Sequence, residues 1–220
     1  MATVIGLMGE TGSGKTTSIR NLNPDSTYYI NADGKKVLLP GFSGKYNRDK
    51  KNYKNISDVG KIKTLIENIA KKAPHIKVVI VDTVNAIMLD DEMARSKQTG
   101  YDKWINLASS IYELINFCNK EIPDHVYIIL MFHEETFLDD DGVRTTRILT
   151  NGKKLEKIKL ETKLPILLRS MSIGQDGNNE FYFETRKNNS NTKTPIGLFS
   201  KFRIPNDLKY VVEKVRDYEN

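Results

Sequence analysis

Gly9-Glu10-Thr11-Gly12-Ser13-Gly14-Lys15-Thr16 stands directly behind a short apolar run, Thr3-Val4-Ile5-Gly6-Leu7-Met8. The pattern G-x-x-x-x-G-K-T between a strand and a helix describes a phosphate-binding loop. Glycines let successive backbone N–H groups curl around an anion where a Cβ would clash. A helix from Lys15 to about Leu22 adds the positive end of its dipole. In such a loop Lys15 reaches the β- and γ-phosphates and the Thr16 hydroxyl ligates Mg²⁺. Thr17 closes the loop, so residues 9–17 are the expected contacts for the triphosphate of ATP. A Gly-rich hairpin turn is the competing account, and it leaves the Lys-Thr pair at that offset unexplained.

The rest of the chain sets bounds on this site. With 220 residues it has room for one well-buried α/β domain. Its 39% apolar and 28% charged content is that of a soluble globular protein. Thirty-four basic residues against 28 acidic ones permit a polyanionic partner, and an ordinary solvated surface explains the excess equally well. Cys118 is the only cysteine, which excludes an intramolecular disulfide and a thiolate zinc site. Its neighbours, Ile115-Asn116-Phe117, suit a buried structural thiol. No stretch approaches a membrane span and no signal peptide is legible, so no membrane partner is expected. The expected location is cytoplasmic, the host cytoplasm for a phage-encoded chain.

Strand and helix patterns alternate through the first 133 residues. Tyr28-Tyr29-Ile30 reads as a strand, and residues 31–54 are Gly/Lys/Asn-rich and irregular. Ser57 to Lys72 reads as a helix with Ser57 as N-cap and Ile62, Leu65, Ile66 and Ile69 on one face. Residues 77–82 and 126–132 are β-branched and apolar throughout, as strands buried on both faces require. Between them, helices are expected at about 84–94 and 101–120. After His133 the pattern changes to a hairpin over Glu134–Leu149 around Asp139-Asp140-Asp141-Gly142, then a Lys-rich helix from about 153 to 163. A second hairpin follows, with 166–173 and 180–185 as its strands, and a last helix opens at Pro205-Asn206-Asp207. The fold class implied is α/β, a mostly parallel central sheet with C-terminal antiparallel hairpins. Residues 1–133 are its core, and 134–220 belong to the same domain.

Three polar residues lie where strands of the core end. Asp82 closes the run Val78-Val79-Ile80-Val81; beside a phosphate loop it is a Mg²⁺ carboxylate, and alone it is equally a helix N-cap. Asp33 is placed to orient the attacking water, although Asn31-Ala32-Asp33-Gly34 also has the composition of a plain turn. His133 is placed to sense a γ-phosphate, against the common finding that a lone histidine is structural. Glu134 and Glu135 read as exposed hairpin residues. Phe137, Arg144, Arg147, Lys153 and Lys154 combine cations with a ring, the composition of a single-strand binding loop, and a solvated hairpin has the same composition.

With these residues in order, the chain resembles the RecA-like ATPases. It is most similar to the phage-type core proteins of that group, classed as AAA-domain ATP-binding proteins of the single-strand annealing group. Five motifs carry the resemblance: Gly9–Thr16, Tyr29-Ile30-Asn31-Ala32-Asp33, Val79-Ile80-Val81-Asp82-Thr83-Val84, Phe132-His133, and Arg186-Lys187-Asn188 with Lys193-Thr194-Pro195. The resemblance implies a RecA-like core with Lys15, Asp33, Asp82 and His133 as catalytic residues and Thr16 and Asp82 at the metal. It places Asp33 where the family has a glutamate, one methylene longer. It makes Arg186, Lys187 and Lys193 candidates to act on a neighbour's ATP in a homo-oligomer. Because the core strand starts at residue 3, the implied protein lacks the usual N-terminal tether; it forms rings or short arcs, or binds DNA weakly and anneals it rather than exchanging strands.

The function implied is a DNA-stimulated ATP hydrolase that binds single-stranded DNA and promotes annealing and recombination. A single-strand binding protein is an expected partner. Two other classes fit a P-loop of this kind. One is a nucleoside-type small-molecule kinase, whose lid would be the segment Arg144–Lys154. The other is a nucleotide-gated loader or interaction module in DNA replication.

Overall fold

Strands with no polar alternation need cover on both faces, and helices on the two sides of a parallel sheet provide it. The computed structural model describes residues 1–94, 102–138, 142–150, 159–175 and 178–220. Its strands are β1 (Thr3–Gly9), β2 (Thr27–Asn31), β3 (Tyr53–Asn55), β4 (Val78–Asp82), β5 (Tyr127–Leu138), β6 (Arg144–Ile148), β7 (Ile166–Gln175), β8 (Asn178–Glu184) and β9 (Arg203–Pro205). They hydrogen-bond in the order β3-β2-β4-β5-β1-β7-β8-β9, with β6 on the extended end of β5. The six strands from β3 to β7 run parallel, while β8, β9 and β6 pair antiparallel. The expected α/β class, a mostly parallel sheet with antiparallel hairpins, is what the chain adopts.

Helices α2 (Val59–Lys72), α3 (Val84–Ala94) and α4 (Asp102–Glu121) cover one face, where Ile62, Ile66, Ile87 and Ile115 meet Val79, Val81 and Leu130. The other face packs Ile5, Leu7, Ile80 and Met131 against α5 (Leu208–Glu219) and the short helix α1 (Phe42–Lys45). Cys118 is wholly buried in α4, and burial pushes its thiol up to about 12. Among the described residues no helix is long and apolar enough to cross a membrane.

Several local expectations change. The helix expected over residues 15–22 is a single 3-10 turn at Thr16–Ile19. Thr16-Thr17-Ser18 is a weak helix-forming run, and the Ser18 hydroxyl donates to the Lys15 carbonyl (2.5 Å), competing with helix propagation. The α2 N-cap is Asp58, which accepts from the Lys61 N–H at 2.8 Å, and not Ser57. The irregular stretch 31–54 contains α1 and the edge strand β3. Of the Lys-rich helix at 153–163, only residues 159–163 are described, and Leu160–Lys163 is a 3-10 turn. The tip residues Asp139, Asp140 and Asp141 and the turn Asp176-Gly177 lie outside the described residues.

Parallel strands deliver their carboxyl ends to one edge, where open α/β sheets bind ligands. Register pairs Gly9 with His133 and Asn31 with Asp82, so the end of β1 meets β5 while β2 meets β4 along that edge.

Candidate functional site

The loop leaving β1 is shaped by three glycines. Gly12 and Gly14 have φ of +82° and +90°, the left-handed region that disfavours side chains. A Cβ on Gly14 would also sit 2.7 Å from the Phe181 ring, and one on Gly9 2.8 Å from the Ser170 carbonyl oxygen. The loop is tied down from the far side of β1. Ser170, on β7 beside β1, donates to the Ser13 carbonyl (2.7 Å), Asn206 donates to Ser170 Oγ (3.2 Å), and Arg20 donates to the Asn206 carbonyl (2.5 Å). Ser170 and Asn206 are buried. Neither was legible as part of the site, because each reaches the loop through long-range pairing.

Lys15 folds back across the loop, donating to the carbonyls of Gly9 (2.6 Å) and Glu10 (2.7 Å). Burial lowers its ammonium to about 8, against the opposing pull of Asp82, Glu134 and Glu10. The 3-10 turn is too short to supply a helix dipole, so the positive character of the site rests on loop N–H groups and on Lys15.

Asp82 is a buried carboxylate held by three hydroxyls. Oδ2 accepts from Thr16 Oγ1 (3.1 Å) and from Tyr29 Oη (2.5 Å), while Oδ1 accepts from Thr83 Oγ1 (2.7 Å). Tyr29 is fully buried, and burial followed by the adjoining Asp82 charge raises its phenol well above the ordinary value. A hydroxyl and a carboxylate oxygen this close suit a hard cation with oxygen ligands, so Thr16 and Asp82 are the residues that would hold Mg²⁺. Such an ion, when bound, neutralises charge on the β- and γ-phosphates.

Asp33 and His133 face the same space. A cavity of about 370 Å³ is lined by Thr11, Gly12, Gly14 to Thr17, Asp33, Asp82, Thr83 and His133, with Lys35 to Leu38 as its outer wall. Asp33 sits in a turn, as its composition suggested, and the turn is what aims it. Asn31 Oδ1 accepts from the Gly34 N–H (3.0 Å), its amide donates to the Lys35 carbonyl (2.8 Å), and Lys35 pairs with Asp33 at 2.9 Å. The backbone N–H of His133 donates to Asn85 Oδ1 at 2.7 Å, and burial, then the nearby Lys15 ammonium, lowers the pKa of its imidazole. Both influences favour the neutral imidazole, which carries one N–H to donate.

Glu134 departs from expectation. Its side chain is 2% exposed and takes a bidentate pair from Arg169 (2.9 and 2.7 Å), with Glu184 3.8 Å from the same guanidinium. The remaining candidates are elsewhere. Arg147 pairs with Glu135 at 2.8 Å and lies 4.2 Å over the Phe137 ring, and Arg144 is exposed at the start of β6. Lys153 and Lys154 lie outside the described residues. Arg186 donates to its own chain's Phe199 and Ser200 carbonyls (3.1 and 2.8 Å), Lys187 is exposed, and Lys193 bridges to Leu167 through its backbone. Of these candidates, none of the described ones lines the cavity beside the loop.

A family model described as an AAA domain matches residues 1–203. No curated protein matches the chain in sequence. Among solved structures, a KaiC-like protein from the hyperthermophilic archaeon Pyrococcus horikoshii OT3 is similar in fold. Its TM-score is 0.51 at 14% identity, over 84% of this chain and 79% of that one.

Proposed function

Since the chain belongs to the AAA-domain family and is an AAA-type P-loop ATPase of RecA/KaiC-like fold, we propose that it hydrolyses Mg²⁺-ATP to control binding of single-stranded DNA and promotes annealing. Lys15 and the loop N–H groups hold the triphosphate, Thr16 and Asp82 the metal, and Asp33 orients water. The carrying observation is the course of β5. This strand passes from the nucleotide cavity at His133 straight into the hairpin that ends at Leu138. A hydrogen bond gained or lost at His133 then acts on a ladder outside the cavity without any intervening loop. Homo-oligomers belong to the same reading, with exposed Lys187 available to a neighbour.

The test is fluorescence anisotropy of a labelled oligodeoxythymidylate with ATP analogue, with ADP and without nucleotide. Affinity is expected to be about tenfold higher in the ATP-like state, a normal coupling between two sites. ATPase rate should rise with single-stranded DNA, and complementary strands should anneal faster. Equal affinity in all three states overturns the coupling. ADP formation that depends on a small acceptor and ignores DNA would assign a kinase instead. Arg147, one cation of the supposed lid, is already engaged by Glu135 and Phe137, which speaks against that reading.

A further inference from the structure

The chain's excess of positive charge is gathered in one segment. Residues 35–54 hold seven of its 34 basic residues and one of its 28 acidic residues, so this stretch alone accounts for the formal +6 and the remainder is balanced. All seven cations are exposed. Lys35 is paired with Asp33, and the Lys45 ammonium bonds the Arg20 carbonyl. Among the described residues, Lys36, Arg48, Lys50, Lys51 and Lys54 have no carboxylate within ion-pair distance. Uncompensated like charges repel one another, and a polyanion relieves that repulsion.

The same segment lines an open apolar cavity of about 540 Å³, within the size range of ligand pockets. Val37, Leu38, Leu39, Phe42 and Tyr53 line it, with Lys36 and Arg48 among its polar residues. Leu38 is 85% exposed, a large apolar side chain left in water. Lys36, Val37 and Leu38 also form the outer wall of the nucleotide cavity, so the two cavities share one strap of chain.

Cations beside an apolar concavity match a polyanion that carries unpaired apolar rings. Single-stranded nucleic acid has that chemistry, with phosphates for the cations and bases for the cavity. A duplex keeps its bases stacked inside and offers the cavity nothing. We propose that residues 35–54 are the contact track for single-stranded nucleic acid, with Arg48, Lys50 and Lys51 on phosphates and a base entering between Leu38 and Tyr53. This rests on the reading of the chain as a single-strand-binding ATPase, and it moves the contact from the β5–β6 hairpin to the β2–β3 connection. The shared strap gives ATP a direct way to reshape the track.

The experiment compares wild type, the triple variant Arg48→Glu/Lys50→Glu/Lys51→Glu, and the hairpin variant Arg144→Glu. Each is titrated against a labelled oligodeoxythymidylate with ATP analogue present, over a range of salt. The triple variant is expected to bind at least about tenfold more weakly, with a salt slope shallower by about three. Arg144→Glu is expected to stay near wild type. Binding of a fluorescent ATP analogue by the triple variant shows that its core is folded. Wild-type affinity and slope in the triple variant, with loss in Arg144→Glu, overturn the track and leave the ATPase reading standing. Absence of oligonucleotide binding by wild type in every nucleotide state overturns both. Wild-type preference for a duplex or for phosphatidylserine vesicles, lost in the triple variant, overturns the choice of partner.

Discussion

At the residue scale, Lys15 carries the clearest consequence. In water its ammonium loses its proton near 10.5, and burial brings this to about 8. Phosphate binding needs the charged form. Below about 8 the free protein already carries the proton, so ATP affinity is flat with pH. Above it Lys15 is neutral, and binding must first take up a proton, so affinity falls by up to about tenfold per pH unit. Calorimetry at pH 7 and pH 9 should show that loss, with proton uptake approaching one at pH 9 in buffers of different ionisation enthalpy. A constant affinity across that range would show that the charge at Lys15 is not used. Asp82 illustrates what a single residue reveals in sequence. An acid ending an apolar strand behind a phosphate loop is legible, but its partner Tyr29 reads only as a strand aromatic. The hydrogen bond between them exists because β2 and β4 become neighbours, with Tyr29 paired to Ile80 and Asn31 to Asp82.

At the scale of elements, the Arg169–Glu134 pair joins β7 to β5 across the end of β1. Sequence placed the end of the strand at Phe132 because the apolar run stops there. The ladder continues to Leu138, and its alternation turns Glu134 inward. Arg169 was hidden for a related reason: its burial depends on the β1–β7 pairing, which joins residues far apart in the chain. Removing one member of a buried pair strands the other charge. Arg169→Ala should therefore cost about 3–5 kcal/mol in urea unfolding, whereas Arg169→Met with Glu134→Leu and Glu184→Gln, which leaves no buried carboxylate behind, should recover most of that loss. A loss below about 1 kcal/mol for Arg169→Ala would mean that water reaches the pair. The shortened helix after the loop has a different cause, since the Ser18 hydroxyl bonds the Lys15 carbonyl and competes with propagation.

Across the whole molecule, alternating strand and helix patterns made the parallel core legible, and turn residues announced the antiparallel additions. Strand order was not legible, because it is settled by which pairing buries both faces of each apolar run. The charge asymmetry was present in the sequence but diluted by the average; it becomes visible only when residues 35–54 are seen as one surface around a cavity. Burial of Cys118 follows from its place in α4 against the sheet, where its thiol is both inaccessible and hard to ionise. An aromatic disulfide reagent should react with the native protein only as fast as the chain opens, and at once in denaturant. Prompt labelling of the native protein would mean that α4 loosens on its own. The protein is thus its own silent background for thiol chemistry. A cysteine introduced in place of Lys50 and another in place of Leu138 would be the only reactive sulfurs present. A dye pair attached there would report, molecule by molecule, how the basic segment and the hairpin move when ATP arrives.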